Sequence, residues 1–308
     1  MHIIVAENSG FCFGVKRAIN MAFEAVEGGK GPAYTLGPII HNPQMVAKMK
    51  QSGIRVVNNI SELWRDTLII RSHGVSPAVL EEAGRRQLHV VDATCPFVRK
   101  SQRYAQSLVS EGYHVFIIGD PDHPEVEGLL GYARDRALVI HNEAQVKDIE
   151  TGLRIGVIAQ TTISPGHFHR IVDQLRVKTS DLKVYNTICD SVIARQTSTA
   201  ELARKADIMI VIGGKNSANT TRLAGLCQEL CRITYHIETA DEVQPDWFVG
   251  QEIVGVTAGT STPDWIIQDI ADRIHEIRDH DYRGRSISPT LPCYKANSYT
   301  KEEEVNDR

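Results

Sequence analysis

Short apolar runs alternate with helical stretches along most of the chain. Such runs lie at residues 3–6, 114–118, 155–159 and 208–212. Strands that are apolar at every position are typical of parallel sheets covered on both faces. Regular alternation of such strands with helices indicates an α/β fold. We therefore predict nine strands in mostly parallel sheets with helices on both sides.

Polar residues follow the predicted strands where each strand ends. These loops carry Cys, His, Thr, Ser, Asn or Glu after all nine runs. Ligands of open parallel sheets bind beyond the carboxyl ends of the strands. The polar side chains are therefore expected to converge on one place.

A strand–cysteine–helix unit occurs three times, at Cys12, Cys95 and Cys189. Cys95 follows Cys12 by 83 positions, and Cys189 follows Cys95 by 94. This near-even spacing indicates a weak internal repeat. It predicts three pseudo-repeated α/β domains: residues 13–96, residues 97–189, and residues 190–281 together with 1–12, followed by a C-terminal tail at 282–308. No Pro- or Ser-rich linker separates them, so we expect tight packing.

The three cysteines are candidates for a metal site. Pro96 suits the first position of a helix, and a thiol at a helix start should have a lowered pKa. A single cysteine is more often a small buried residue, but three equivalent ones favour a metal. Zinc is possible, although structural zinc usually takes four ligands in close pairs. Three distant thiolates instead suit a cubane iron–sulfur cluster with one iron unligated.

The other cysteines call for simpler interpretations. Cys227 and Cys231 lie four apart among leucines, which favours core packing over metal ligation. Cys293, in the polar tail, is interpreted as a free thiol.

Three histidines, His41, His73 and His123, follow strands at matching positions. They suggest an anion pocket or metal ligands. The loops at 213–220 and 258–263 offer backbone N–H groups and hydroxyls to phosphate oxygens, although ordinary helix capping explains either loop alone. Glu125 is a candidate proton donor, with a solvated surface glutamate as the alternative.

Composition narrows the class of protein. The 308 residues carry a net charge of −4, which argues against nucleic-acid binding through bulk positive charge. No signal peptide and no apolar run of membrane-spanning length are evident in the sequence. We therefore expect a cytoplasmic protein with reduced thiols that acts without a membrane.

Taken together, these residues resemble the family of 4-hydroxy-3-methylbut-2-enyl diphosphate reductases, also called the LytB family. The matching motifs run in family order from residue 10 to about residue 265. They are Gly10-Phe11-Cys12, Ile40-His41-Asn42, Ser72-His73-Gly74-Val75, Asp92-Ala93-Thr94-Cys95-Pro96, His123-Pro124-Glu125-Val126-Glu127-Gly128, Gln160-Thr161-Thr162, Thr187-Ile188-Cys189, Arg195-Gln196, Lys215-Asn216-Ser217 and Gly255-Val256-Thr257-Ala258-Gly259.

The resemblance implies a trefoil of three α/β domains around one 4Fe-4S cluster. Cys12, Cys95 and Cys189 would hold the cluster, and the substrate hydroxyl would bind the iron that has no protein ligand. Two electrons and two protons would then remove the hydroxyl as water, giving isopentenyl and dimethylallyl diphosphate. The expected electron donor is a ferredoxin or a flavodoxin.

The resemblance also assigns the substrate contacts. Glu125 and Thr161 would lie at the hydroxyl end, with Glu125 on the proton path. The diphosphate would be held by His41, His73, His123, Ser217, Asn219 and Ser261, and by Ala218 through its backbone N–H, since a serine often stands there in the family. These neutral donors would hold the dianionic headgroup without an Arg/Lys cluster.

Two other functions stay open at this level. One is a non-catalytic iron–sulfur sensor, which would have no need of Glu125, Thr161 and the phosphate loops together. The other is a hydro-lyase with an open-iron cluster, which would consume no electrons.

Overall fold

The computed structural model describes residues 1–28, 31–134 and 136–284, with side chains up to residue 279. Parallel strands and helices alternate through these ranges. The strands are β1 His2–Val5, β2 Ala33–Leu36, β3 Ile54–Val57, β4 Thr67–Ile70, β5 His89–Asp92, β6 His114–Ile118, β7 Ala137–Ile140, β8 Ile155–Ala159, β9 Leu182–Val184, β10 Ile208–Ile212, β11 Ile233–Ile237 and β12 Ile253–Ala258. The α-helices are α1 Phe13–Glu27, α2 Pro43–Gln51, α3 Pro77–Arg85, α4 Pro96–Ser110, α5 Pro124–Tyr132, α6 Pro165–Arg176, α7 Asp190–Ala203, α8 Ala218–Leu230 and α9 Asp264–Gly284.

The strands form three four-stranded sheets, and all strand pairs in them are parallel. The orders are β3-β2-β4-β5, β7-β6-β8-β9 and β11-β10-β12-β1. Each sheet thus repeats one topology, and in the third sheet the first strand of the chain takes the place that β5 and β9 hold in the others. The predicted α/β class with three parallel-sheet units is confirmed.

The predicted number of strands was too low. The described residues contain β3, β7 and β11 in addition to the nine runs, and these three hold the same edge position in their sheets. β3 buries only its two end residues and exposes the middle two. Its sequence therefore lacks the continuous apolar run of a central strand.

The middle sheet illustrates how helices cover both faces. Phe116 and Ile118 of β6 pack in one cluster with Phe168 of α6. Val115 and Ile117 of the same strand pack in another cluster with residues of α4 and α5. Successive strand residues point to opposite faces, so a strand that is apolar throughout needs helices on both sides.

Close contacts join the three units. Gly128 of α5 lies against the backbone of Val75, since a Cβ at Gly128 would be 3.6 Å from the Val75 carbonyl carbon. Gly131, one turn later, lies against Ser76. Arg222 of α8 donates a hydrogen bond of 2.9 Å to Thr162 after β8. These contacts hold the strand-end loops of different units together.

The domain boundaries given above stay a prediction, although β1 pairs with β12 in the third sheet. Helix α9 runs through Gly284, beyond the predicted start of the tail at residue 282. Residues 285–308, including Cys293, lie outside the described part of the chain. None of the described helices has both the length and the hydropathy required to cross a membrane.

Candidate active site

Cys12, Cys95 and Cys189 occupy equivalent places, each directly before the first residue of a helix. They are the N-cap residues of α1, α4 and α7. Each helix is preceded in the chain by the edge strand β1, β5 or β9. β9 ends at Val184, and residues 185–188, which belong to no strand, lead from it to Cys189.

The backbone N–H of each cysteine donates a hydrogen bond to a strand-end loop. Cys95 N–H donates to Ser72 O at 3.0 Å, and Cys189 N–H donates to Thr161 O at 3.0 Å. Cys12 N–H donates to Thr260 O at 3.4 Å. Ser72 precedes His73, and Thr260 precedes Ser261. Each cysteine is therefore tied to a loop that carries a predicted substrate-binding or catalytic residue.

The thiols approach one another at the start of α1. A Cβ placed on Gly14 would lie 2.5 Å from the Sγ of Cys95 and 4.0 Å from the Sγ of Cys12. Only glycine at this position lets the two thiols flank the helix start without a clash. Burial is the main cause of the raised pKa of Cys95, and the nearby thiols of Cys12 and Cys189 add to it.

The lowered pKa predicted for Cys95 is wrong for the protein alone. Burial raises the pKa of this thiol to about 11, and the backbone N–H groups of Phe97 and Val98 lower it by less. Burial also raises the pKa of Cys12. Desolvation penalises the thiolate more than the helix start stabilises it. The thiolate form at this site therefore needs a nearby positive charge.

Arg195 supplies one such charge. Its side chain is 2% exposed, its Nη1 donates to the carbonyl of Ala258 at 2.6 Å, and its Nε has no partner. Burial lowers its pKa to about 10, and the charges on Cys12 and Cys189 oppose that shift. No ion pair with a carboxylate is found for it among the described residues. The sequence motif contained Arg195 without indicating this role.

The donor set suits a thiolate-bound metal cluster. None of the three cysteine side chains forms a capping hydrogen bond, and the Sγ of Cys189 lies 3.0 Å from Ser191 Oγ. Soft thiolates select iron–sulfur clusters and zinc, and coordination to a metal deprotonates a thiol that burial would keep neutral. Cys227 and Cys231 do not join this group, because both are buried in a hydrophobic cluster under α8, as predicted.

His41, His73 and His123 form a tight cluster. The ring centroids lie 4.9 Å apart for His41 and His73, 5.2 Å for His73 and His123, and 5.7 Å for His41 and His123. Burial lowers the pKa of His123 to about 4 and holds that of His73 well below its usual value. Burial also lowers the pKa of His41. The three rings are therefore neutral near pH 7, and neutral imidazoles can donate to an anion or bind a metal.

The hydrogen bond made by His123 favours donation to an anion over metal binding. Its Nδ1 accepts a hydrogen bond of 3.1 Å from the backbone N–H of Glu125. A neutral imidazole that accepts at Nδ1 carries its proton on Nε2. His123 therefore presents a donor from its other ring nitrogen. The Nε2 of His41 and the Nδ1 of His73 are buried without a partner.

Residues of the unit built on the sheet β11-β10-β12-β1 lie next to the three histidines. The hydroxyl of Ser261 donates to the carbonyl of His41 at 3.2 Å, and its oxygen lies 3.4 Å from Ser217 Oγ. Ser217 caps α8 through the N–H of Thr220, and Ala218 is the first residue of that helix. Both polar atoms of the Asn219 side chain are buried without a partner. A helix start with unpaired donors is a favourable place for an anion.

Glu125 and Thr161 are joined by two hydrogen bonds. The backbone N–H of Thr161 donates to Oε1 at 2.7 Å, and its hydroxyl donates to Oε2 at 2.8 Å. Glu125 is 2% exposed, so the alternative of a solvated surface residue is wrong. Burial raises its pKa to about 7, against the lowering effect of the two Thr161 hydrogen bonds. The carboxyl can therefore hold or release a proton near neutral pH.

Two arginines lie near the histidines, although the sequence predicted a pocket without an Arg/Lys cluster. Arg71 lies two residues before His73, and its charge helps to lower the pKa of all three histidines. Burial is the main cause of the lowered pKa of His123, the charge of Arg222 adds to it, and Arg222 also lies close enough to Glu125 for their charges to interact. The sequence did not indicate that Arg222 lies near His123, because the contact between α8 and Thr162 brings it there.

The structure is an α/β fold of three parallel-sheet units in which three cysteines begin helices and three histidines form one cluster. Comparisons with known proteins give the family. The sequence profile described as "LytB protein" matches residues 3–275, and the chain belongs to this family.

Two curated relatives from Geobacter species are both named 4-hydroxy-3-methylbut-2-enyl diphosphate reductase. The chain is 50% identical over 276 residues to the 4-hydroxy-3-methylbut-2-enyl diphosphate reductase of Geobacter sulfurreducens, covering 90% of this chain and 98% of that protein. It is 49% identical over 277 residues to the reductase of the same name from Geobacter metallireducens, with the same coverage.

Two solved structures that resemble this chain are also of diphosphate reductases. The structure of (E)-4-hydroxy-3-methyl-but-2-enyl diphosphate reductase, described as the terminal enzyme of the non-mevalonate pathway, matches with a TM-score of 0.67 and 45% identity over 89% of this chain and 99% of that one. The corresponding reductase from Plasmodium falciparum matches with a TM-score of 0.84 and 27% identity over 88% and 86% of the two chains.

Proposed function

We propose that this chain reduces (E)-4-hydroxy-3-methylbut-2-enyl diphosphate to isopentenyl diphosphate and dimethylallyl diphosphate. One observation carries the proposal: each cysteine N–H donates a hydrogen bond to a loop that carries a predicted substrate-site residue. The thiols, the histidine cluster and Glu125 therefore belong to one site. Membership in a family whose relatives bear this name supports the same reaction.

Cys12, Cys95 and Cys189 would hold one 4Fe-4S cluster, which leaves one iron without a protein ligand. Such a cluster supplies electrons and a Lewis-acidic iron when bound. Arg195 would balance part of the negative charge of the three thiolates. An uncompensated buried cation is costly, so this pairing stabilises both the arginine and the thiolates.

The chain itself would orient the substrate through its diphosphate. Neutral His41, His73 and His123 offer ring N–H donors, and Ser217, Asn219, Ser261 and the N–H of Ala218 add further donors at the start of α8. Arg71 and Arg222 add positive charge beyond this ring of donors. Hydrogen bonds to a charged group each contribute about 1.5–3 kcal/mol.

Glu125 would deliver a proton at the hydroxyl end of the substrate. Its raised pKa keeps a large fraction protonated near neutral pH, and Thr161 fixes both carboxyl oxygens. The overall change is balanced by two electrons and two protons. The C–O bond breaks, one proton forms the new C–H bond, and the hydroxyl leaves with the other as water.

The electrons would come from a ferredoxin or a flavodoxin, one electron at a time. The expected location of the protein is the cytoplasm, where such donors and reduced thiols are found.

Anaerobic purification followed by visible spectroscopy tests this proposal. The protein should show the broad absorption of an iron–sulfur cluster, and the diphosphate substrate should change the spectrum. A colourless protein that binds zinc instead would contradict the proposal, as would a cluster spectrum that the substrate leaves unchanged. The free alcohol without a diphosphate serves as the ligand control.

A further inference from the structure

Two large aromatic side chains are exposed next to the thiols. Phe13 follows Cys12 directly and is 65% exposed, and Phe97 lies two residues after Cys95 and is 39% exposed. Burial of a phenylalanine side chain normally stabilises a protein. Two exposed phenylalanines beside a predicted redox centre therefore call for an explanation.

The helix starts that carry these residues are in contact. Gly14 of α1 lies against the thiol of Cys95, which caps α4. Arg17, one turn into α1, donates a hydrogen bond of 3.2 Å to the carbonyl of Thr94. The first turns of α1 and α4 thus form one surface.

The same two turns are rich in positive charge. Lys16 and Lys100 are exposed, and neither forms an ion pair among the described residues. Arg99 is exposed as well but is paired with Asp92 at 2.7 Å. The chain as a whole has a net charge of −4, so this surface has the opposite sign. We call Phe13, Phe97, Lys16, Arg17 and Lys100 the basic aromatic face.

We propose that the basic aromatic face docks a small acidic protein that carries one electron at a time. The inference rests on the proposed function, because that reaction consumes two electrons that an outside donor must supply. Two reduced carriers would dock in turn, and each would leave oxidised by one electron. The two electrons and two protons then convert one substrate into one product and water.

Charge complementarity is the argument for this partner. Opposite charges steer two proteins together and raise the rate of association, an effect that salt weakens. Aromatic residues are enriched at the centres of protein interfaces, where charge is depleted. Exposed phenylalanines beside lysines without a carboxylate partner among the described residues match that arrangement; Lys100 Nζ lies 5.9 Å from the centre of the Tyr104 ring and stays exposed. The position next to two of the three thiols gives the carrier a short path to the redox centre.

Charge reversal on the full cluster-loaded protein tests the proposal. We would prepare the double variant Lys16→Glu/Lys100→Glu, the single variant Phe13→Ser, and the control Arg232→Glu. Arg232 is exposed directly before β11, at the amino ends of the strands and thus at the opposite edge of the fold. The rate of cluster reduction would be measured by stopped flow with a reduced acidic ferredoxin and, separately, with reduced methyl viologen. Variants are compared at equal cluster content from the visible spectrum.

The double variant should be reduced by ferredoxin at least tenfold more slowly than the wild type, with a weaker dependence on salt. Phe13→Ser should lower the same rate several-fold, and Arg232→Glu should leave it unchanged. With methyl viologen, all four proteins should react at similar rates.

Equal ferredoxin rates in the wild type and the double variant would overturn the proposal. An equal loss with both reductants would do so too, since the change would then act on the redox centre and not on docking. A wild-type dimer that Phe13→Ser dissociates, with an unchanged ferredoxin rate, would assign the face to a second copy of the chain. Failure of the wild type to form product with methyl viologen would instead contradict the proposed function.

Discussion

Thr161 donates two hydrogen bonds to Glu125, one to each carboxyl oxygen, at 2.7 and 2.8 Å. Because the same residue accepts the N–H of Cys189 at 3.0 Å, it connects the proposed proton donor to a proposed cluster ligand. The two hydrogen bonds from Thr161 fix the position of the Glu125 carboxyl, and burial is the main cause of its raised pKa.

Glu125→Gln should separate substrate binding from turnover. Glutamine keeps the shape and most of the hydrogen bonding but cannot pass on a proton. We expect a near-normal substrate-induced spectral change under anaerobic conditions, with turnover lower by roughly two to four orders of magnitude. Near-normal turnover in this variant would assign the proton to water or to another side chain.

The raised pKa of Glu125 predicts a pH dependence of both rate and stability. A proton donor with a pKa of about 7 should lose activity as the pH rises above 7, and Glu125→Gln should abolish that limb. The pKa is raised above its ordinary value of 4.5. The stabilisation from the protonated carboxyl is therefore complete below pH 4.5 and is lost as the pH rises through 7.

That loss amounts to a decrease in the free energy of unfolding on the order of 3 kcal/mol. Denaturant titrations at pH 5 and pH 8 would measure it in the wild type and in Glu125→Gln. An equal pH dependence of stability in the two proteins would contradict the assignment.

Asn219→Ala should weaken diphosphate binding. Both polar atoms of this buried side chain lack a partner, so the amide is available to the headgroup. The loss should be about 1–3 kcal/mol, with no change in the cluster spectrum. Asn216→Ala, at an exposed position of the same loop, is the matched control and should bind normally.

Comparison with the free alcohol sharpens this prediction. A true headgroup contact reduces the preference for the diphosphate over the alcohol, and His41→Ala should behave in the same way. A variant that keeps the full wild-type preference would exclude that residue from the headgroup site.

Gly14→Ala should damage the cluster site without unfolding the protein. A Cβ at this position would lie 2.5 Å from the Sγ of Cys95, so the thiol must move. Gly84 of α3 is the control, because no atom lies within 4 Å of its added Cβ. Gly84→Ala should raise the free energy of unfolding by about 0.5–1 kcal/mol. We expect reduced iron content only in Gly14→Ala; full iron in that variant would contradict the thiol geometry.

The cysteines themselves give a direct contrast. Cys12→Ser, Cys95→Ser and Cys189→Ser should each abolish or badly damage cluster retention. Cys227→Ala should retain the cluster, because this thiol is fully buried in a hydrophobic cluster. Iron content and the anaerobic spectrum measure the outcome, and loss of the cluster in Cys227→Ala alone would refute the ligand assignment.

Central strands and the polar loops after them could be predicted from the sequence. Runs such as residues 208–212 are buried on both faces, so their apolar pattern is continuous and their ends are clear. The edge strand β11 has no such run, because four of its five residues are only partly buried. β3 is interrupted by Arg55 in the same way, whereas β7 is apolar throughout and its omission has no such explanation.

Electrostatics at the site could be predicted only in part. The approach of the three histidines agrees with their equivalent places after strands, whereas the presence of Arg222 depends on how α8 packs against another unit. The pKa of Cys95 was predicted in the wrong direction because the helix start is visible in the sequence and burial is not.

The central claim is reductive removal of the substrate hydroxyl, and counting electrons tests it most directly. Cluster-loaded protein would be given a known amount of reduced methyl viologen and excess substrate without oxygen, and the products would be quantified by mass spectrometry. We predict isopentenyl and dimethylallyl diphosphate together at one molecule for every two electrons consumed. Conversion of the substrate with no electrons consumed would contradict the account and would indicate a hydro-lyase instead.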